Sequence, residues 1–442
     1  MSRLLPLQAA ASVVAVAVAG ASALCGQDPS TGRARPLSSD ERKLNRESFE
    51  FIWSTIRDQY WDPTFGGLDW TAVHDELRPT IERASTMGQA RQVMRQMIDR
   101  LGKSHFGIIP ADVYGDLDER DEAAGTATAG IDVRVLEGKA IVTSVDDSSS
   151  AAVQGVHAGW EVLRIDDAPI TPALHRIAEL DHNSTMRELH LARSVLAKLS
   201  GAAGTVVRVE FLDSAGQRVT KEIERSEPPG ALARFGYLPP MHVWLRSRRL
   251  GGDIGYIAFN LFLDPARLMP EFGDALKSCA ACPGVIIDLR GNPGGLGIMA
   301  LGMAGWFIDT PDQRLGTMHT RQAPLKFTVN PRSPTYTGRL AILVDGCSAS
   351  TSEIFAGGMK DLGRGRVFGT RTAGAALPSA IDRLPNGDGF QHALADYVSE
   401  GGRPLEGVGV IPDVEVKLTR QALLAGLDPV IDTAIEWIHK RK

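Results

Sequence analysis

A serine-rich segment in the C-terminal half of the chain has the residue types needed for nucleophilic chemistry. It reads Ser348-Ala-Ser350-Thr-Ser352-Glu353 and follows an apolar run that predicts a buried strand, 340–344. A serine at a strand-to-helix turn lies at the positive end of the helix dipole, where backbone N–H groups can stabilise an oxyanion. Glu353 stands three residues after Ser350, which also fits a helix capping box. Spacing alone leaves both roles open for Ser350.

A glycine-containing segment follows a second apolar strand. It reads Asp288-Leu-Arg290-Gly-Asn-Pro-Gly294-Gly295, after the predicted buried strand 285–289. Two glycines at a strand end allow a backbone N–H to approach a substrate carbonyl closely. A plain turn is the alternative interpretation.

Motifs of several other enzyme classes are absent from the sequence. It contains no HExxH, GxSxG or GxGxxG pattern, and Gly102-Lys103-Ser104 lacks the upstream glycine of a phosphate loop, because Met97 stands there. Cys279 and Cys282 form a CxxC pair without two further ligands at similar spacing, which leaves a local disulfide or two free thiols. We therefore expect no metal and no cofactor.

Together, the two segments resemble those of the C-terminal processing peptidases and their tricorn-core relatives. The resemblance spans about residues 40–420, and its most specific matches are 288–295, 348–355 with Gly363-Arg364, and 369–374. In this motif the nucleophile is the serine three residues before the glutamate, which is Ser350. The resemblance implies a serine peptidase with a ClpP/crotonase-like catalytic domain.

The chain departs from the main branch of that family at the general base. Enzymes with a Ser–Lys dyad carry lysine 25 residues after the nucleophile, where this chain has Ala375. Lys360 lies only ten residues along the predicted helix and cannot substitute. The tricorn-like branch instead uses a histidine preceded by serine and a late glutamate, and Ser104-His105 and Glu406 match that pattern.

The resemblance assigns a role to each of these side chains. His105 takes the proton of Ser350 and returns it to the leaving amine. Ser104 orients the imidazole, and Glu406 anchors the Ser104 hydroxyl. The oxyanion is held by the N–H of Thr351 and by one from either of two glycines, Gly294 or Gly295.

The elements that must position these residues fall into three predicted domains, so that the fold class is a multidomain α/β protein. Apolar residues at helical spacing predict helices near 49–60, 70–84 and 89–101, within an N-terminal helical domain over 39–127. The third helix ends just before Ser104-His105. Alternating strands and helices over 227–442 predict an α/β catalytic domain, in which sites gather where strands give way to helices.

Residues 128–226 have the order of elements of a PDZ-like, β-rich domain. Short alternating runs predict strands, and Ala129-Gly130-Ile131 is the expected carboxylate-binding loop. A PDZ groove binds a peptide by strand addition. A β-rich domain without a ligand is the alternative.

The N-terminus has the pattern of a signal peptide. Arg3 precedes an apolar, alanine-rich run, and Ala21-Ser22-Ala23 fits a cleavage site, which predicts a signal peptide over 1–23 and a linker over 24–38. An uncleaved segment would instead keep the protein near a membrane. Lipidation of Cys25 is disfavoured because Leu24 precedes it.

Composition agrees with an exported globular protein acting on polypeptides. The 442 residues are 43% hydrophobic and 23% charged, with a formal net charge of -5 and no long basic run, so we expect no nucleic-acid partner. The predicted function is an exported serine endopeptidase of periplasmic or secreted location, acting on unfolded or C-terminally exposed polypeptides. The competing hypothesis is an inactive binding protein on the same scaffold, as in related retinoid carriers.

Overall fold

The computed structural model describes residues 14–16, 35–111, 127–182 and 184–440. The first described element is a short strand, β1 (Val14–Val16), within the predicted signal peptide. The predicted cleavage site 21–23 and Cys25 lie outside the described residues. Within the described part of the chain, no helix has both the length and the apolar character needed to cross a membrane.

A helical unit follows, and its helix starts are set by polar caps. The side chain of Ser38 accepts from the N–H of Glu41, and Glu41 accepts from the N–H of Ser38, which is a complete capping box. Asp69 and Thr86 cap the next two helices. The elements are α1 (Ser39–Gln59), a 3-10 turn (Phe65–Gly67), α2 (Trp70–Arg83), α3 (Met87–Asp99) and β2 (Gly107–Ile109).

Residues 127–226, here called the PDZ-like unit, form a β-sheet covered by helices. Its strands are ordered β3-β4-β5-β7-β8, so that β3 has one edge without a neighbouring strand among the described residues. The unit has its own apolar core. The elements are β3 (Ile131–Leu136), β4 (Lys139–Val145), α4 (Ser150–Val153), β5 (Glu161–Ile165), β6 (Ala168–Pro169), α5 (Thr171–Leu180), α6 (Arg187–Leu199), β7 (Val206–Leu212) and β8 (Arg218–Glu224).

The C-terminal unit is the α/β domain that the alternating pattern predicts. Its strands are β9 (Ala231–Ala233), β10 (Met241–Val243), β11 (Leu245–Leu250), β12 (Ile254–Phe259), β13 (Gly284–Asp288), β14 (Gly294–Leu296), β15 (Arg314–Thr320), β16 (Pro324–Thr328), β17 (Arg339–Val344), β18 (Arg366–Gly369), β19 (Ser379–Arg383), β20 (Gly389–Ala393), β21 (Ala395–Ser399) and β22 (Val414–Glu415). Its helices are α7 (Pro265–Ser278), α8 (Gly297–Ala304), α9 (Thr351–Asp361), α10 (Arg420–Leu424) and α11 (Pro429–His439).

The central sheet of this unit brings two strand ends together. Its order is β11-β12-β13-β17-β18-β22, and the strands from β12 onward are parallel. Strands β13 and β17 are buried neighbours, as expected of central strands covered on both faces. The segments that follow them, 289–295 and 345–351, therefore start side by side at the carboxyl edge of the sheet.

A second sheet joins the helical unit to the catalytic unit. Strand β2 pairs with β20 in antiparallel register, with Gly107 opposite Gln391. Leu384 and Phe390 of the catalytic unit complete the apolar core of the helical unit. This pairing fixes the position of the residues immediately before β2, which include His105.

Candidate active site

Ser350 occupies the turn between β17 and α9, with a backbone conformation that side chains rarely adopt. Its φ is +59° and its ψ is −118°, and the residue is fully buried. Its N–H donates to the carbonyl of Ala375 at 2.8 Å and to Oε2 of Glu353 at 3.0 Å. Such a conformation costs about 1–3 kcal/mol and persists only where surrounding contacts hold it. The Glu353 half of the capping box is thus present, and it holds the turn that carries the serine.

His105 meets Ser350 from the end of the helical unit. Its Nε2 lies 3.1 Å from the Ser350 hydroxyl, across a sequence separation of 245 residues. Like Ser350, it has a positive φ, +59°, and it is only 3% exposed. The pairing of β2 with β20 holds it at this place.

Ser104 and Glu406 extend the hydrogen-bond chain on the far side of the imidazole. The Ser104 hydroxyl lies 2.7 Å from Nδ1 of His105 and donates to Oε2 of Glu406 at 2.7 Å. Because a hydroxyl has one proton, which goes to the carboxylate, it accepts from Nδ1–H of the imidazole. That tautomer leaves the Nε2 lone pair facing the Ser350 hydroxyl. Glu406 also accepts from the N–H groups of Ser104 at 2.8 Å and Ala376 at 3.2 Å.

Burial sets the protonation of the site. Burial, followed by the positive charge of Arg193, lowers the pKa of His105 to about 3. Burial raises the pKa of Glu406, although the hydrogen bonds from Ser104 and Ala376 oppose that shift. The imidazole is therefore neutral at pH 7, which is the state that accepts a proton from Ser350.

The glycine segment packs directly against the nucleophile. A Cβ placed on Gly294 would lie 2.7 Å from Cβ of Ser350 and 2.8 Å from the Thr351 nitrogen. The Gly294 N–H donates to Oδ1 of Asn292 at 2.9 Å, so it is already engaged. This bond favours Gly295 over Gly294 as the predicted oxyanion donor beside Thr351.

Two supporting residues were not assigned a site role from the sequence. Asn292, buried within the motif, accepts from Gly294 and donates to the carbonyl of Phe259 at 2.8 Å. Glu353 accepts from the N–H groups of Gly374 at 2.8 Å and Ala375 at 2.9 Å, and burial raises its pKa to about 7. The motifs contain both residues, but only the folded chain shows what they bind.

An extended segment lies along the glycine strand next to the nucleophile. Strand β1 pairs antiparallel with β14, with Val16 opposite Gly294 and Val14 opposite Leu296. Val14 also pairs with Ser379 of β19. The gap between β14 and β19 thus accepts one extended backbone beside Ser350.

The predicted peptide loop belongs to the PDZ-like unit and not to this hydrogen-bonded group. Ala129 and Ile131 are buried in that unit's core, and Gly130 has a φ of +69°. The Gly130 N–H donates to the hydroxyl of Thr128 at 3.2 Å.

The lysine and the cysteines that were considered for other kinds of chemistry lie outside this hydrogen-bonded group. Lys360 donates to the carbonyl of Ile411 at 2.6 Å and pairs with Asp413 at 3.1 Å. Cys279 and Cys282 are buried free thiols rather than a disulfide. Among the residues that the structure describes, no group of three or more His, Cys, Asp or Glu side chains is placed to hold a metal.

Two family models match separate parts of the chain. The model of peptidase family S41 matches residues 253–416, and that of the tricorn protease C1 domain matches residues 42–99. The first contains Ser350 and Glu406, and the second covers most of the helical unit.

Relatives in both branches of the family align with most of this chain. The carboxyl-terminal-processing protease of Synechocystis sp. is 25% identical, covering 86% of this chain and 82% of the relative. Carboxyl-terminal-processing peptidase 3 of Arabidopsis thaliana is 25% identical, covering 87% and 70%. Tricorn protease homolog 1 of Streptomyces coelicolor is 26% identical over 88% of this chain, which spans only 34% of that longer relative.

Solved structures show the same fold. The photosystem II D1 C-terminal processing protease has a TM-score of 0.56 at 20% identity, covering 88% of this chain and 98% of that one. Mature CPAF, solved with lactacystin, has a TM-score of 0.61 at 15% identity, covering 90% and 99%. The expected architecture of helical unit, PDZ-like insert and α/β catalytic domain is therefore confirmed, and the chain carries a domain of peptidase family S41, a family of serine peptidases, together with a tricorn protease C1 domain.

Proposed function

We propose that this chain is a serine endopeptidase that cleaves polypeptides through an acyl-enzyme on Ser350. The observation that carries the proposal is one hydrogen-bond chain. It runs from the Ser350 hydroxyl to His105 at 3.1 Å, from His105 to the Ser104 hydroxyl at 2.7 Å, and from there to Glu406 at 2.7 Å. This order, nucleophile to base to orienting group, is the arrangement required for nucleophilic catalysis.

We assign one group of this chain to each step of the reaction. Nε2 of His105 accepts the Ser350 proton while Oγ attacks the scissile carbonyl, and the imidazolium then protonates the leaving amine. Ser104 and Glu406 hold the ring and favour its charged form. The N–H groups of Thr351 and Gly295 stabilise the oxyanion. A water molecule activated by His105 then hydrolyses the acyl-enzyme.

The substrate class follows from the groove beside the nucleophile. Because β14 and β19 take one extended strand between them, a substrate polypeptide binds there in extended form, by backbone pairing. Folded chains do not offer such a segment, so we expect unfolded or terminal segments to be cleaved.

The PDZ-like unit supplies a second candidate peptide site. Strand β3 is at the edge of its sheet, and the loop Ala129-Gly130-Ile131 lies at the start of that strand. We propose that a substrate C-terminus adds to β3 with its carboxylate at this loop. Export of the protein through the signal-peptide pattern at 1–23 completes the proposal.

Hydrolysis of a peptide library tests the proposal. The wild type should cleave library peptides, and Ser350→Ala and His105→Ala should each lose about 10³-fold or more in kcat while remaining folded. Full activity in either variant would show that the catalytic assignment is wrong. A folded wild type that cleaves nothing but binds peptides or small apolar molecules would favour the inactive binding protein.

A further inference from the structure

A single, partly buried carboxylate ties together the two segments that form the candidate active site. Asp345 directly follows β17, and its Oδ1 accepts from the N–H of Gly291 at 2.9 Å and from the N–H of Cys347 at 3.0 Å. Gly291 belongs to the segment that carries Gly294 and Gly295. Cys347 belongs to the segment that carries Ser350 and Thr351. One oxygen atom therefore fixes the start of both segments relative to each other.

The other oxygen of this carboxylate is held by the PDZ-like unit. Nε of Arg134, on β3, donates to Oδ2 of Asp345 at 2.7 Å. Arg134 also donates to Asp132 on its own strand at 2.8 Å, which fixes the direction of the guanidinium. The side chains of Arg134 and Asp345 are only 13% and 18% exposed, so the pair is shielded from solvent.

The guanidinium also lies directly on the glycine segment. A Cβ at Gly291 would come within 2.0 Å of Nη2 of Arg134, and Gly291 has a φ of +74°. Glycine at 291 therefore suits both the positive φ and this close approach of the guanidinium. The contact is between the PDZ-like unit and the active-site segments themselves.

A second contact between the same units lies beside the nucleophile. Leu189 and Ala192 of α6 pack with Cys347 and Ala349, the residues that lead into Ser350.

Burial would raise the pKa of Asp345, but the charge of Arg134 and the hydrogen bonds from Arg134 and Gly291 outweigh burial and lower that pKa. The carboxylate stays charged and can accept from both N–H groups.

We propose that Arg134 is a positioning residue for peptide hydrolysis. Through Asp345 it holds segment 345–351, which carries the nucleophile, and segment 289–295, which carries the two glycines, in the relative position that the reaction needs. This inference rests on the proposed peptidase function. It makes the PDZ-like unit a part of the catalytic framework in addition to its proposed role in peptide binding. Removing the guanidinium leaves a partly buried carboxylate without its hydrogen-bonded counter-charge, which weakens its hold on Gly291 and Cys347.

The test compares Arg134→Met, Arg134→Lys and Asp345→Asn with Arg208→Met. Arg208 is the matched control, because it pairs with Asp167 on an exposed face of the same unit. Each variant is assayed for kcat and KM on a short peptide and for affinity to a peptide boronic acid, which occupies the oxyanion site. Thermal unfolding confirms that each variant is folded.

We expect kcat and boronate affinity to fall together by about 10- to 100-fold in Arg134→Met and Asp345→Asn, as for a small misplacement of reacting groups. KM should stay within about threefold, and Arg134→Lys should recover part of the loss. Arg208→Met should behave as wild type. A folded Arg134→Met variant with unchanged kcat, or with a change in KM alone, would overturn the inference.

Amide hydrogen exchange tests the same inference without activity. We expect faster exchange at Gly291 and Cys347 in Arg134→Met and not in Arg208→Met, and equal exchange would contradict it. If the wild type cleaves no peptide, the proposed function fails on its own, and the exchange result still decides whether Arg134 holds the two segments.

Discussion

Ser350 and His105 both have a positive backbone φ, which is +59° at each residue. Non-glycine residues adopt it at a cost, and such residues concentrate at functional sites. At Ser350 the cost is met by the hydrogen bonds of its N–H to Ala375 and Glu353. The same contacts aim the hydroxyl at the imidazole. The strain at these residues therefore agrees with a role in catalysis.

Arg193 contributes, after burial, to the low pKa of His105 and therefore to the pH range of the proposed reaction. Its charge adds to burial in lowering the pKa of His105. We predict that Arg193→Gln raises that pKa, so the acid limb of kcat/KM moves to higher pH. Arg187→Gln, at an exposed position at the start of the same helix, is the control and should leave the limb in place. An acid limb that does not move in Arg193→Gln would contradict this account of the His105 environment.

The Ser104 hydroxyl links Glu406 to the imidazole of His105 by hydrogen bonds and so fixes the orientation of the ring. We predict that Ser104→Ala lowers kcat by about 10²- to 10³-fold with little change in KM, because Nδ1–H loses its acceptor and the ring its fixed tautomer. Ser104→Thr keeps the hydroxyl and should retain most activity. Equal kcat in Ser104→Ala and wild type, measured by steady-state kinetics, would remove Ser104 from the mechanism.

At the scale of elements, the site depends on how closely β14 approaches the nucleophile turn. The Cα of Gly294 faces Ser350 with no room for a methyl group, and its φ is +102°. We predict that Gly294→Ala lowers kcat by about 10²-fold or more, because the turn must shift from its reactive position. Gly88→Ala, on α3, meets nothing closer than 3.9 Å and is the control. Wild-type activity in Gly294→Ala would mean that the segments do not pack in this way.

Strand β1 lies where we propose that substrate binds. We predict that a chain starting at residue 24 reacts faster with an active-site probe than the full-length chain, because the gap between β14 and β19 is then open. A chain lacking only residues 1–13 keeps β1 and should react as slowly as the full-length one. Labelling rates of the three proteins check this, and equal rates would show that β1 does not compete with the probe.

The sequence predicts the elements of this site better than their contacts. Apolar runs predict the buried strands at 285–289 and 340–344. Because sites gather at the carboxyl ends of parallel strands, the polar segments that follow these strands are predicted to form the site. The apolar pattern predicts the third helix near 89–101, whereas α3 begins at Met87 and ends at Asp99. Helix ends depend on caps such as Thr86, which the apolar pattern does not show.

At the scale of the whole molecule, three units supply the site. The helical unit gives His105, the catalytic unit gives Ser350 and Glu406, and the PDZ-like unit contributes the Arg134 contact. The family resemblance predicts His105, Ser350 and Glu406 from the sequence. Arg134 and Asp345 were not found, because they are 211 residues apart and only the folded chain shows that they meet.

The buried imidazole also makes the whole fold sensitive to acid. Because the folded pKa of His105, about 3, lies below the unfolded value of 6.5, the unfolded chain binds more protons between those values. The unfolding free energy should therefore fall as pH decreases from 6.5, by at most about 1.4 kcal/mol per pH unit from this residue. His105→Asn should unfold with a shallower pH dependence in denaturant titrations, and an unchanged slope would argue against a buried neutral histidine.

Site mapping of a fluorophosphonate label tests the central claim most directly, because the label bonds to the activated serine itself. The account predicts modification of Ser350 in the wild type, and a labelling rate lower by about 10²-fold or more in His105→Ala. The label on Ser348 or Ser352 instead, or an unchanged rate in His105→Ala, would contradict a Ser350 nucleophile activated by His105.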